Sequence, residues 1–182
     1  KGNGASIKTG ARNATGDVLV FMDGDGQHSP ADVQRLLTTF REGYDMVVGA
    51  RSSASQASVG RLVANTLYNR LSSWISGQPI LDLTSGLRAV NRRTNQPFMS
   101  LLPTGFSYPT TITMAFFRAG FSVKYIDIHA GVREGKSHIN LLKDGLRFFI
   151  IIFKIGTLYS PLKIFMPIAG SFFGVGLGYY VY

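Results

Sequence analysis

The feature that most constrains the fold is a short apolar run that ends abruptly in acids and glycines. Residues 17–22 form a continuous stretch typical of strands buried in parallel sheets, and Asp23-Gly24-Asp25-Gly26 follows at once. Ser29 then has the chemistry of a helix N-cap, and Pro30 that of a first helical residue. A second buried strand is expected at 45–49. Strand, helix and strand in this order predict an α/β layered sheet, in which ligands bind at the carboxyl ends of the strands.

The other expected elements surround this unit. Periodic apolar positions and breakers predict helices at 5–13, 30–41, 60–77 and 110–119, and a third strand at 121–128. Residues 81–89 are expected to form a loop-rich stretch. The helix at 60–77 is amphipathic and basic, which leaves open whether it is a core helix or a helix on a membrane surface.

The end of the chain is expected to associate with a membrane. Residues 141–155 are apolar with basic residues interspersed, a pattern suited to an interfacial helix, at Lys143, Arg147 and Lys154. Ser160-Pro161 breaks this helix. Residues 164–182 then contain no Asp, Glu, Lys, Arg or His, and their length is about that of one membrane span at helical rise.

The composition limits the classes of partner. The chain has 182 residues, a formal net charge of +9 and no cysteine. The charge favours polyanionic partners such as nucleic acid, anionic lipid headgroups or phosphorylated small molecules. Because there is no cysteine, thiolate metal sites are excluded, and carboxylates are the first metal ligands to consider. The apolar end of the chain argues against nucleic acid.

Asp23 and Asp25 are the strongest metal-ligand candidates. One glycine separates them at a strand end, so both carboxylates can converge on one Mg²⁺ or Mn²⁺ ion while the glycines let a phosphate approach. Gln27 and His28 follow at a distance that would add an oxygen or imidazole ligand. An ordinary Asp-Gly turn between strand and helix explains residues 23–26 equally well.

The wider sequence resembles glycosyltransferase family 2. Residues 18–30 (Val-Leu-Val-Phe-Met-Asp-Gly-Asp-Gly-Gln-His-Ser-Pro) are similar to the DxD segment of that family, particularly of polyprenyl-phosphate hexose synthases of the dolichyl-phosphate mannose synthase type. Three further motifs follow in the family's order, at 48–51, 82–89 and 133–137. Four motifs in order are a more specific signal than one, and they extend the resemblance over residues 3–165.

The resemblance implies a GT-A (Rossmann-like) fold, incomplete at its N-terminus. Asp23 and Asp25, with Gln27 as a further ligand, would hold Mg²⁺ or Mn²⁺ and the donor diphosphate. Asp82 matches the position of a general base or an acceptor-positioning carboxylate. The residues expected to bind the lipid phosphate and the donor diphosphate are Arg51, Arg133, Lys136 and Ser137.

Simpler roles compete with these assignments. Asp82 could instead cap its own loop by accepting from the amides of Thr84 or Ser85, and the cations could be solvated surface charges. Between its two active roles positioning is favoured, because a phosphate nucleophile is already ionised near neutral pH and barely needs a base. Gly135-Lys136-Ser137 also matches the end of a P-loop, but Ala130 stands where that motif needs its first glycine.

Two departures from the family pattern matter. The first strand and the acidic residues that read the nucleotide base and ribose would precede Lys1, so we expect this fragment alone not to bind donor normally. Near residues 108–111, where many relatives carry a glutamate facing the acceptor, this chain has Thr110 and Thr111.

The sequence thus predicts a metal-dependent enzyme of cell-envelope glycan biosynthesis, which transfers a hexose from a UDP- or GDP-sugar to polyprenyl phosphate with inversion. The predicted division is a partial GT-A domain (1–139), an interfacial amphipathic helix (140–160) and the start of a transmembrane region (161–182). Membrane lipids are the other expected partners, on the cytoplasmic face of a bacterial inner membrane, with no nucleic acid and with homo-oligomerisation left open. The alternatives are a glycan or glycolipid hydroxyl as acceptor, and a non-catalytic basic membrane-surface module.

Overall fold

The computed structural model describes residues 2–51, 59–105, 108–129, 131 and 141–181. Its helices are α1 (Asn3–Asn13), α2 (Pro30–Phe40), α3 (Val59–Ser76), α4 (Arg92–Asn95), α5 (Tyr108–Arg118), α6 (Leu141–Tyr159) and α7 (Pro161–Val181), with a short 3₁₀ helix at Gln96–Ser100. Its strands are β1 (Val18–Phe21), β2 (Met46–Arg51), β3 (Arg88–Asn91) and β4 (Val123–Ile128). The predicted alternation of helices and strands is confirmed.

The strands form a mixed sheet in the order β1-β3-β2-β4. β3 is antiparallel to both of its neighbours, whereas β2 and β4 are parallel. Arg88, the first residue of β3, lies opposite Phe21 at the end of β1 and opposite Val48 in β2. The carboxyl ends of β1, β2 and β4 and the beginning of β3 therefore meet at one edge of the sheet.

β3 begins where the sequence predicts a loop, because Arg88 and Ala89 belong to the strand. The strand starts with a charged residue, and that side chain is fully buried. The Arg88 guanidinium donates hydrogen bonds to Pro109 O (3.1 Å), Thr113 Oγ1 (2.9 Å) and Ser85 O. Arginine is rarely buried in this way. A strand that begins with arginine therefore lacks the apolar pattern that is typical of a buried strand.

β1 differs from the predicted run of continuously buried residues. Leu19 and Phe21 are buried, but Val18 and Val20 are each 37% exposed in the described part of the chain. The side chains alternate between the two faces of the strand, as the period of two requires. One face of β1 therefore lies in the core, and the apolar run is a half-buried strand.

Helices cover both faces of the sheet. α2 packs on one face, where Leu36 shares a core with Val47 of β2. α1 and α5 pack on the other face, where Ile112 of α5 is fully buried. α2 begins as predicted, since the Ser29 hydroxyl oxygen accepts a hydrogen bond from the Asp32 amide (3.1 Å).

A third layer is formed by α3, α6 and α7. Ile75 of α3, Ile152 of α6 and Ile164 at the start of α7 share one buried core, which also includes Ile80 and Leu83 of the segment after α3. The predicted interfacial helix is thus packed on the domain along one side. Its other side exposes large apolar side chains, namely Leu146, Phe149, Ile150, Phe153 and Leu158.

The end of α3 is tied to the junction between α6 and α7. Gly77 ends the helix in the left-handed conformation (φ 77°), as is common after a helix C-terminus. Ser160 Oγ donates to Ile75 O (3.2 Å), and Lys163 Nζ donates to Trp74 O (2.9 Å) and Ile75 O (3.3 Å). The first turn of α7 therefore satisfies the last carbonyls of α3.

α7 is, among the described residues, the helix long and apolar enough to cross a membrane. It has 21 residues, and the mean hydropathy of its most apolar window is 1.5. At helical rise this length is about 31 Å, close to the thickness of a bilayer hydrocarbon core. The helix begins at Pro161, slightly before the predicted start of the span, and the predicted break at Ser160-Pro161 separates it from α6.

Candidate active site

Four segments meet at the sheet edge where the strand ends converge. They are residues 22–27 after β1, 49–51 at the end of β2, 82–87 before β3, and 129 and 131 after β4. The Gly49 amide donates to Leu87 O (3.0 Å), and the Gly131 amide donates to Gln27 O (3.0 Å). The predicted site residues on these segments are Asp23, Asp25, Gln27, Arg51 and Asp82.

Asp23 is exposed just beyond β1 and packs against the backbone of Gly86. A Cβ atom at position 86 would lie 2.7 Å from the Asp23 Cγ and closer still to its Oδ2, so only a glycine fits here without displacing the carboxylate. This contact joins the segment that carries the acidic pair to the segment that carries Asp82.

Asp25 and Gln27 turn the chain from β1 toward α2. The Gln27 amide donates to Asp25 Oδ1 (3.3 Å). The side-chain Nε2 of Gln27 donates to Gly131 O (3.0 Å), so the backbone and the side chain of Gln27 both hold Gly131. Because the nitrogen is used in this way, Oε1 is the Gln27 atom suited to a cation.

The best-defined contact in the site joins Arg51 to Asp82. Arg51 Nε donates to Oδ2 (2.8 Å) and Nη2 donates to Oδ1 (3.0 Å), while the Arg51 amide donates to Oδ2 (3.2 Å). Thr84 completes the cluster: its hydroxyl accepts from Arg51 Nη2 (2.6 Å), and its amide donates to Asp82 Oδ1 (3.1 Å). Asp82 is only 5% exposed, so this pair is largely withdrawn from water.

These contacts set the ionisation of both groups. Burial alone would raise the pKa of Asp82, but the hydrogen bonds and charge of Arg51, with the Thr84 amide, hold it below its ordinary value. Burial likewise opposes the Arg51 charge, yet Asp82, with smaller contributions from Asp23 and Asp25, raises the pKa of the guanidinium. The two groups are therefore an ion pair at neutral pH, and Asp82 is a weak proton acceptor.

The loop around Asp82 is held from two sides. Inside the loop, the Thr84 amide donates to Asp82, which is the loop cap expected as the simpler role of this residue. Outside it, Asn69 of α3 donates from Nδ2 to Leu81 O (2.6 Å) and accepts at Oδ1 from the Leu83 amide (3.0 Å). Asp82 is therefore both a loop cap and the ion-pair partner of Arg51.

Arg133, Lys136 and Ser137 lie outside the described residues, so their phosphate contacts stay predictions.

Two residues of the site, Gly86 and Asn69, were not selected from the sequence. Gly86 matters because of a close approach between distant segments, and its local signal is a glycine two residues before β3. Asn69 is a polar residue in an amphipathic helix. Such residues are common on exposed helix faces, so the sequence does not distinguish Asn69 from an ordinary surface residue.

The mixed α/β sheet resembles the sheets of GT-A glycosyltransferase structures, which is the class of fold that the chain has. A structure of glucosyl-3-phosphoglycerate synthase from Mycobacterium tuberculosis, in complex with Mn²⁺, UDP-glucose and glycerol 3-phosphate, matches with a TM-score of 0.62. The match covers 85% of this chain and 55% of that chain at 20% identity, so it concerns the fold alone. The family model for glycosyl transferase family 2 matches residues 1–98, and the chain belongs to that family, as its motifs predict.

Three curated relatives extend the comparison. Glycosyltransferase AglJ of Haloferax volcanii is 29% identical over 170 residues, which are 90% of this chain and 56% of that protein. Polyprenol monophosphomannose synthase of Mycolicibacterium smegmatis is 32% identical over 64% of this chain and 46% of that protein. Undecaprenyl-phosphate 4-deoxy-4-formamido-L-arabinose transferase of Klebsiella pneumoniae is 35% identical over 50% of this chain and 28% of that protein. The chain thus spans about half the length of the first two relatives, and less of the third.

Proposed function

We propose that this chain is part of an enzyme that transfers a hexose from a UDP- or GDP-sugar to polyprenyl phosphate at a membrane surface. The observation that carries the proposal is the packing of the Asp82 loop. Ile80 and Leu83, which flank Asp82, are buried in the same core as Ile152 of α6 and Ile164 of α7. The Asp82 loop thus packs on the same helical layer as the start of the candidate span. This arrangement suits an acceptor with a charged head and a lipid tail.

The relatives support this class of acceptor. Two of them carry polyprenol or undecaprenyl phosphate in their names. The exposed face of α3 supports a position at a bilayer, because Val63, Leu67 and Trp74 are exposed and lie within an arc of about 40° around the helix. We assign the catalytic part to the cytoplasmic face of a bacterial inner membrane.

Asp23 and Asp25 fit a divalent cation of the Mg²⁺ or Mn²⁺ type. Mg²⁺ is often held by one or two carboxylates together with substrate phosphates and water, and the packing of Asp23 on Gly86 fixes one carboxylate without burying it. Gln27 would add a neutral oxygen. In the described ranges no three His, Asp or Glu side chains form a metal cluster, so the donor diphosphate and water would supply the other ligands. The Mn²⁺ complexes of the M. tuberculosis enzyme support a divalent ion in general.

The bound cation would neutralise charge on the departing nucleotide diphosphate. In the proposed reaction a phosphate oxygen of the acceptor attacks the anomeric carbon, and the bond from that carbon to the diphosphate oxygen breaks, which inverts the configuration. Asp82 contributes by fixing the Arg51 guanidinium at the sheet edge. We assign the binding of the two phosphate groups to Arg51, Arg133, Lys136 and Ser137.

A hydroxyl acceptor would make a different demand on the site. It would need Asp82 as a proton acceptor, whereas Arg51 holds that carboxylate in two side-chain hydrogen bonds and lowers its pKa. A phosphate acceptor is already ionised and makes no such demand. The Arg51–Asp82 pair therefore favours the lipid phosphate over a glycan or glycolipid hydroxyl.

The test is transfer of radiolabelled hexose from a panel of UDP- and GDP-sugars to undecaprenyl phosphate by the full-length protein, with Mg²⁺ or Mn²⁺, beside Asp25→Asn. We expect a lipid-linked product that requires the metal and is lost in the variant. Hydrolysis of donor without lipid-linked product, or transfer to a hydroxyl acceptor alone, would contradict the proposal.

A further inference from the structure

The two peptide groups that join Asp82 to its neighbours are both bound by one side chain, that of Asn69. The carbonyl of the Leu81–Asp82 peptide accepts from Asn69 Nδ2 (2.6 Å), and the amide of the Asp82–Leu83 peptide donates to Asn69 Oδ1 (3.0 Å). A primary amide is the side-chain group that offers a donor and an acceptor in one plane. Asn69 therefore holds the backbone on both sides of Asp82 at once.

We propose that Asn69 is a positioning residue, which sets the direction in which the Asp82 carboxylate leaves its loop. The proposal rests on the proposed function, because it assigns Asn69 to the acceptor side of that site. If the two peptide planes are fixed, the Cα–Cβ bond of Asp82 is fixed with them. The carboxylate then meets Arg51 with both oxygens, at 2.8 Å from Nε and 3.0 Å from Nη2.

A bidentate contact of this kind depends on orientation as well as distance. Rotation of either peptide next to Asp82 would separate one carboxylate oxygen from its guanidinium nitrogen, and the second arm of the fork would be lost. The Arg51 guanidinium would then turn toward Thr84, whose Oγ1 also accepts a hydrogen bond from Nη2 (2.6 Å). The effect of Asn69 on the acceptor therefore passes through Asp82 and Arg51, and Asn69 itself touches no substrate.

The chain provides a matched control in Ser73, one turn later on the same helix. Its Oγ accepts from the Ile80 amide (2.9 Å) and donates to Asn69 O (2.7 Å). Ser73 thus anchors the same segment to α3, but it binds neither peptide group of Asp82. Leu83 and Ile80 are buried in the core beside α6, so we expect the segment to keep its apolar anchor in either variant.

The experiment compares Asn69→Ala and Ser73→Ala in the full-length protein, with separate titrations of undecaprenyl phosphate and of the nucleotide-sugar. For Asn69→Ala we expect the KM for undecaprenyl phosphate to rise about tenfold or kcat to fall by as much, with the KM for the donor unchanged within about twofold. Ser73→Ala should leave all three constants within about twofold. Asn69→Asp keeps an acceptor for the Leu83 amide but loses the donor to Leu81 O. We expect its effect to be about threefold or more, which is at least half of the Asn69→Ala effect on a logarithmic scale.

Equal effects of the two alanine variants, or a change in the donor KM alone, would overturn the role of Asn69 while leaving the proposed function intact. Failure of the wild-type protein to form any lipid-linked product would instead contradict the proposed function. In that case the structure of Asn69→Ala decides, because an Arg51 Nε to Asp82 Oδ2 distance still at 2.8 Å would overturn the positioning role whatever the acceptor. A separated pair would support it.

Discussion

The acidic pair beyond β1 and the Arg51–Asp82 pair occupy the same sheet edge but differ in their surroundings. Asp23 is exposed and touches the backbone of Gly86, whereas Asp82 is buried and accepts hydrogen bonds from Arg51 and Thr84. The exposed carboxylate keeps its charge available to a ligand. The charge of the buried carboxylate is neutralised within the protein by Arg51. In the proposed enzyme the first region binds by attraction to a cation, and the second binds through a geometry that exists before the acceptor arrives.

The largest expected effect is that of Asp23→Asn on activity. Removing one carboxylate from a two-carboxylate cation site should lower transfer by about a hundredfold or more. Because Asp23 is exposed, its loss should change the free energy of unfolding by only about 0.5 kcal/mol. Transfer assays and thermal unfolding check both statements, and Glu42→Gln, at an exposed acid after α2, is the control for charge. Equal losses in both variants would indicate a general charge effect.

Asp82→Asn should act on stability in addition to its effect on the proposed acceptor site. The variant leaves Arg51 with a weaker partner, and since 26% of that side chain is exposed we expect a loss of about 2 kcal/mol, below that for a fully buried pair. The pKa of Asp82 is lowered in the folded protein, so its stabilisation is present above the ordinary aspartate pKa of about 3.9 and is lost as the pH falls through the folded value. Denaturant unfolding in detergent should therefore show a wild-type advantage at neutral pH that shrinks in acid. An advantage independent of pH would contradict the ion pair.

Gly86→Ala tests the contact between the two regions. The added methyl group would displace the Asp23 carboxylate, and we expect the metal concentration for half-maximal activity to rise about tenfold. Gly10→Ala in α1, where no atom lies within 4 Å of an added Cβ, is the control. A metal response unchanged in Gly86→Ala would show that the two regions are independent.

The smallest expected effect is at the end of α3 that contacts the first turn of α7. Lys163→Met removes the donor to the last carbonyls of α3 and should weaken that helix end by about 1 kcal/mol. Hydrogen exchange of residues 74–80 should become faster, while the exposed Lys154→Met on α6 should leave it unchanged. Equal exchange rates in the two variants would show that the contact of Lys163 with α3 does not stabilise the segment that leads to the Asp82 loop.

The sequence predicted the parts of the fold that local patterns encode. Ser29 and Pro30 mark the start of α2, and Ser160-Pro161 marks the break before α7, because caps and prolines act within a few residues. β3 escaped prediction because Arg88 is satisfied by residues more than twenty positions away on α5. A buried charge reads as a surface charge until its distant partners are known.

The site was predicted in the same uneven way. Asp23, Asp25, Gln27, Arg51 and Asp82 could be selected by motif, and they do lie on converging segments. Their contacts could not be read from the motif, because the pairing of Arg51 with Asp82 and the closeness of Gly86 to Asp23 depend on how β1, β2 and β3 are ordered in the sheet. Asn69 depends further on the packing of a helix outside the sheet.

The cap that Lys163 and Ser160 place on α3 also has a consequence for the choice of membrane. In the proposed enzyme α7 spans the bilayer, and a helix of about 31 Å would adjust to a thinner or thicker bilayer by tilting, so that its first turn would move with it. That turn is hydrogen-bonded to the end of α3, five and six positions beyond Asn69 along the chain. In the proposed enzyme, a change of bilayer thickness would therefore reach the Asp82 loop, which shares a core with Ile164 of α7, before it reaches Asp23 beyond β1.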